Sequence, residues 1–112
     1  EKEENIAFSY YERAAEQDNA LAQCKLGEIY QEGELIGKDS KKAIELFRKA
    51  ARQNLPPAID WLGVMYENGY GVEINLSEAL KNYKRAAEFG YSLAQYHVGQ
   101  IYNQGGDSIT HA

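Results

Sequence analysis

Shifted along itself by 36 residues, the sequence falls into register without an insertion, and no other feature restricts the possible folds as tightly. Ala22, Leu26, Gly27, Tyr30 and Gly33 return as Ala58, Leu62, Gly63, Tyr66 and Gly69, and again as Ala94, Val98, Gly99, Tyr102 and Gly105. A second block behaves alike: Ala7, Tyr11, Ala14 and Ala15 return as Ala43, Phe47, Ala50 and Ala51, then as Ala79, Tyr83, Ala86 and Ala87. A fixed period of this size implies stacked supersecondary units, none of which can bury its apolar face alone.

The spacing inside each block is helical. Shared positions fall at i, i+4, i+5 and i+8 in the first and at i, i+4, i+7 and i+8 in the second, where a strand would show a period of two. Asp39 and Asn75 stand just ahead of the second-block segments, where a helix wants an acceptor for its first free N–H groups. Asp18, Asn54 and Gly90 share one position after those segments, and all three residue types tolerate the left-handed turn that ends a helix. Pro56 and Pro57 suit a first helical turn, where a missing N–H costs nothing. The pattern predicts six helices near 5 to 17, 20 to 32, 40 to 53, 56 to 68, 76 to 89 and 92 to 104. It divides the chain, as one solenoid domain over 1–112, into units at 20–55 and 56–91. Half-units at 4–19 and 92–105 flank them, as in a segment of a longer array, and an aperiodic, unstructured tail covers 106–112.

Glycine inside a helix costs roughly 1 kcal/mol relative to alanine, so Gly27, Gly63 and Gly99 call for a packing reason. Close approach of the partner helix supplies one, with Ala50 and Ala51, or Ala86 and Ala87, as the expected flat counter-surface. Tyr30, Tyr66 and Tyr102 on one helix set, and Tyr11, Phe47 and Tyr83 on the other, fill the space that the small residues leave.

Bulk properties narrow the function. The chain has 112 residues and a formal net charge of -5, so nucleic acid and anionic membrane are poor partners. No apolar run approaches the roughly 20 residues that span a bilayer, and the first residues do not resemble a signal peptide. The expectation is a soluble chain of unknown compartment, with the lone Cys24 slightly favouring the cytoplasm.

No constellation of residues points to catalysis. Gly69-Tyr70-Gly71 lacks the lysine and strand context of a phosphate-binding loop. Asn75-Leu76-Ser77 matches a glycosylation acceptor, but Asn75 serves better as a helix cap. His97 and His111 have no partners at metal-ligand spacing, and Cys24 has no histidine base within reach, which leaves it as a structural thiol. The reading is no enzyme, no metal and no cofactor.

The pattern A-x-x-x-L-G-x-x-Y-x-x-G, followed after a loop by D-x-x-x-A-x-x-x-F/Y-x-x-A-A, resembles the Sel-1-like repeat family, relatives of the tetratricopeptide repeat. The family's loop signature G-x-G-V stands as Gly69-Tyr70-Gly71-Val72, is altered to Gly33-Glu34-Leu35-Ile36 in the first unit, and is lost at Gly105-Gly106-Asp107-Ser108. The resemblance implies an all-α fold: a right-handed αα-superhelix, or solenoid, of antiparallel helix hairpins. It also implies an adaptor that binds a partner protein or peptide on its concave face. A structural spacer in a larger repeat protein is the alternative, with a small-molecule binder or hydrolase of the cell-wall or β-lactam type further behind.

In tetratricopeptide-like arrays the first helix of each pair lines the concave side. Carried over by the L-G position, the candidate partner-binding residues are Cys24, Asp60 and Tyr96, then Glu28, Val64 and Gln100, then Gln31, Glu67 and Asn103, with Glu32 and Asn68 beside them. These positions vary between units while the packing positions repeat, as a partner-reading surface would, although drift on a solvated face gives the same pattern. Their acidic bias favours a basic or neutral peptide, with Tyr96 as an aromatic anchor. Trp61 takes the place held by Lys25 and His97 and either covers the next helix or forms an exposed patch. Terminal helices without a polar cap allow end-to-end pairing of two copies.

Overall fold

The computed structural model describes residues 2–105; the expected tail at 106–112 lies outside them. Among the described residues there are six helices and no strand: α1 (Lys2–Glu16), α2 (Ala20–Glu32), α3 (Ser40–Arg52), α4 (Pro56–Asn68), α5 (Leu76–Glu88) and α6 (Ser92–Asn103). Each packs mainly on the helix before and after it. The result is an elongated stack of 49 × 26 × 19 Å.

The polar caps and left-handed turns that the sequence marks are in place. The Asp39 carboxylate accepts from Lys42 N at 3.0 Å, and Asn75 Oδ1 accepts from Glu78 N at 3.0 Å. Asp18 and Asn54 take φ of 67° and 63°, and Gly90 takes 87°, so all three make the left-handed turn between α1, α3 or α5 and the next helix. Within each full unit the longer loop is closed by one repeated bond, Asp39 N to Tyr30 O and Asn75 N to Tyr66 O, both at 3.0 Å. Gly71 shows why that loop signature needs glycine: a Cβ there would sit 2.7 Å from Ser40 O at the start of α3.

The core is a row of small residues and rings. Ala43, Ala50, Ala58, Ala79, Ala86 and Ala94 are sealed from solvent, as are Phe47, Ile59 and Met65. The helical glycines do permit close approach, but their counterpart is a ring and not the expected alanine surface. A Cβ on Gly27 would lie 2.6 Å from Phe47 Cε1, and one on Gly63 would lie 2.5 Å from the Tyr83 ring. Each glycine is thus the seat of the aromatic residue twenty positions later, on the second helix of its own unit. A Cβ on Gly99 would meet nothing within 4 Å among the described residues, and Gly99 is exposed. The tyrosines of the other set are less enclosed: Tyr30 and Tyr66 are half-buried and Tyr102 is exposed.

Candidate functional site: the shared face of the first-type helices

Helices α2, α4 and α6 meet through side chains that reach from one unit to the next. The Trp61 ring lies flat on Phe47, with centroids 5.0 Å apart and planes 3° from parallel. Its Nε1–H donates to Glu28 Oε2 at 3.0 Å, so Trp61 belongs to the packing between units and forms no exposed patch. His97, at the equivalent place, lies 4.7 Å from the Tyr83 ring. Its Nδ1 is 3.0 Å from Asp60 Oδ1; an ionised carboxylate can only accept, so that nitrogen carries the proton.

These joints decide where the candidate binding residues stand. Cys24, Gln31 and Asp60 are buried, which corrects any picture of them as open groove positions. Asp60 is only 3% exposed because it faces His97, and Gln31 accepts from the Ser40 hydroxyl at 2.8 Å. Glu28, Val64 and Glu67 are half-buried; Glu67 accepts a 2.6 Å bond from the Tyr83 hydroxyl. Glu32, Asn68, Tyr96, Gln100 and Asn103 are exposed. Asn68 donates to Val64 O, and Gln100 donates to the Tyr96 hydroxyl, which steadies a ring that is 60% exposed.

Burial governs the titrating groups here. It pushes the Cys24 thiol up to about 12, with the charge of Glu28 adding to the shift, so the thiolate that nucleophilic chemistry requires is scarce. Burial also raises the Asp60 carboxyl above its usual 3.8, an effect that the hydrogen bond and charge of His97 oppose. The Tyr91 phenol is raised as well, first by burial and then by Asp60, Cys24 and Glu28. Tyr91 packs against the core cluster that contains Cys24, Ala58 and Ala94.

Tyr91 and Leu55 were absent from the candidate set. Both are helix N-caps with no side-chain capping bond, and both pack against the core. An apolar residue where a polar cap is preferred is the signal that could have found them. Leu21, Cys24, Lys25, Glu28, Leu55 and Pro57 line an open hollow of about 270 Å³. Leu21 and Leu93 are large apolar residues left exposed; with Pro57 they hold one position of the 36-residue period.

Matches to a family model cover residues 1–19, 20–55, 56–91 and 92–110, each as a Sel1 repeat. The chain belongs to the Sel1 repeat family. Proteins of this family serve generally as protein-interaction modules and are typically not enzymes. A Sel1 repeat protein from Oxalobacter formigenes is 41% identical with a TM-score of 0.82, over 89% of this chain and 41% of that one. A protective antigen of uropathogenic Escherichia coli displaying an SLR fold is 38% identical with a TM-score of 0.82, over 88% of this chain and 21% of that one. Helicobacter pylori cysteine rich protein B is 28% identical with a TM-score of 0.75, over 81% and 68% of the two chains. This chain thus spans less than half the length of the first two. No curated protein matches it.

Among the described residues, no helix is long and apolar enough to cross a membrane. No group of three or more His, Cys, Asp and Glu side chains there is placed to hold a metal ion.

Proposed function

We propose that the chain holds a basic or neutral peptide segment of another protein along the face shared by α2, α4 and α6. The observation that carries this reading is the make-up of that face once its buried members are set aside. Exposed Leu21, Leu93 and Tyr96 offer apolar anchorage, and beside them stand Glu28, Glu32 and Glu67, with Lys25 as the one lysine or arginine on the three helices. Apolar and aromatic anchors supply most of the energy at such interfaces, and the surrounding charge selects the partner. Asp60 supports the surface from below, through His97.

The test is a paired substitution at exposed positions, Tyr96→Ala with Glu32→Lys, in a chain whose melting is followed in parallel. Loss of capture of a lysine-rich peptide library with an unchanged melt supports a binding face. Equal capture by both chains assigns this face to the spacer role. End-to-end pairing of two copies is a second reading, favoured by the open Gly99 surface on α6. Light scattering over a concentration series checks it, and a constant monomer mass at every concentration excludes it.

A further inference from the structure

The charges of this chain are sorted by helix. α3 carries Lys41, Lys42, Arg48, Lys49 and Arg52 against Glu45, and α5 carries Lys81, Lys84 and Arg85 against Glu78 and Glu88. Eight bases and three acids give these two helices a net charge of +5 in a chain of net charge -5, which leaves -10 on the remainder. Solvation of an amphipathic helix requires a polar outer face but not one sign of charge. The bases of α3 lie opposite its buried Ala43, Ile44, Phe47, Ala50 and Ala51.

Two of the eight are committed to the fold. Arg48 Nη2 donates to the Tyr66 hydroxyl at 3.1 Å, and Arg85 Nη2 reaches Asn54 Oδ1 at 2.7 Å and Ala51 O at 3.2 Å. The other six, Lys41, Lys42, Lys49, Arg52, Lys81 and Lys84, are exposed. Tyrosine rings lie under two of them: Lys42 Nζ is 5.2 Å from the Tyr30 centroid and Lys84 Nζ is 5.8 Å from that of Tyr102.

We propose that the outer face of α3 and α5 is a second docking surface, and that its occupant is a short acidic segment of another protein. Charge complementarity selects the sign, and size selects the class. Each helix has 13 residues, a patch about 20 Å long. A nucleic-acid strand or an anionic bilayer runs past that patch and comes within a Debye length, about 8 Å, of the strongly acidic remainder. A short acidic segment ends inside it. The acidic face of α2, α4 and α6 repels the same segment, so the two faces sort partners by charge and one chain can hold two at once. This surface stands whether or not the reading of the α2, α4 and α6 face does.

A fluorescently labelled polyglutamate peptide, titrated into the intact chain and followed by anisotropy, tests the proposal. A single-stranded oligonucleotide and phosphatidylserine vesicles serve as parallel probes. The expected result is saturable peptide binding that weakens with salt. Binding should fall by at least about tenfold, or 1.4 kcal/mol, in the chain carrying Lys49→Glu, Lys81→Glu and Lys84→Glu, and should survive Glu32→Lys. If charge reversal lowers the melt, the same three lysines changed to Gln must still weaken the peptide. Absence of saturable binding, or equal binding by the triple variants, overturns the surface. Tighter binding of the oligonucleotide or the vesicles overturns the choice of a protein partner.

Discussion

The joint between the first and second units and the joint between the second and third are built on one plan with different chemistry. In both, a flat ring from the first helix of a unit rests on the aromatic residue of the preceding second helix and gives an N–H to a carboxylate on the preceding first helix. In the earlier joint the ring is the Trp61 indole and the carboxylate is Glu28, half-buried and also 3.6 Å from Lys25 Nζ. In the later one the ring is the His97 imidazole and the carboxylate is Asp60, almost wholly buried. The first joint therefore rests mostly on apolar area. The second rests on a polar pair that must stay matched, because a buried group left without its partner costs far more than an exposed one.

Removing the larger ring should cost most. Trp61→Ala deletes the flat contact with Phe47 and should lower stability by about 3 kcal/mol, read as a shift in the urea midpoint. A loss under about 1 kcal/mol would place the weight of that joint elsewhere. Gly63→Leu comes next, since even a Cβ there meets the Tyr83 ring; overpacking of this kind costs about 1 to 3 kcal/mol. Gly99→Leu, the same change at the same place in the period, should be neutral or stabilising by up to about 1 kcal/mol, because no described residue faces it and leucine is the better helix former. A loss at Gly99 as large as that at Gly63 would show that the seated ring does not set the cost.

The helices, the polar caps of α3 and α5 and the turns were legible because each depends on local chemistry that the period repeats: Asp39 and Asn75 as caps in two units, Asp18, Asn54 and Gly90 as left-handed turns in three. The seat of each helical glycine was half legible. The small residue was visible, but its counterpart was assigned to Ala50 and Ala51 because helix faces were compared without knowing which ring crosses between them. The joints were legible only as a shared place for Trp61 and His97, with Trp61 read either as cover for the next helix or as an exposed patch; their carboxylate partners were not. Glu28 and Trp61 are 33 residues apart, and Asp60 and His97 are 37 apart, so neither pair falls on the 36-residue offset and the residue types differ as well. The candidate binding rows suffered for the same reason, since Asp60 was read as surface when its partner lay in the next unit. Net charge concealed the basic face of α3 and α5, because a total of -5 averages over two sides of the molecule.

His97→Leu separates ring contact from hydrogen bond in the later joint. Leucine keeps apolar contact with Tyr83 but gives Asp60 no donor, and a stranded buried acceptor costs about 1 to 3 kcal/mol. His97→Gln restores a donor and should recover part of the loss. If Gln and Leu are equally destabilising in thermal melts, the pair at 3.0 Å contributes nothing beyond packing.

The last effect expected is one of pH. Burial sets the folded pKa of Asp60 above its ordinary 3.8 even though His97 pulls it down, so the fold holds this proton more tightly than the unfolded chain does. The stabilisation that follows is fully present below 3.8 and is lost as pH rises through the folded value, because ionisation then places a charge where water is excluded. Asp60→Asn is nearly isosteric and neutral at every pH, so it lacks that loss, while carboxylates remote from the site titrate alike in both chains. The difference between the two urea midpoints reads Asp60 together with the groups coupled to it, His97 and Glu67: from 3.8 upward the parent should fall relative to the variant and then level off. Should the two chains stay parallel across that window, His97 compensates fully for the burial of Asp60. The later joint would then be as insensitive to protonation as a joint built on apolar area alone.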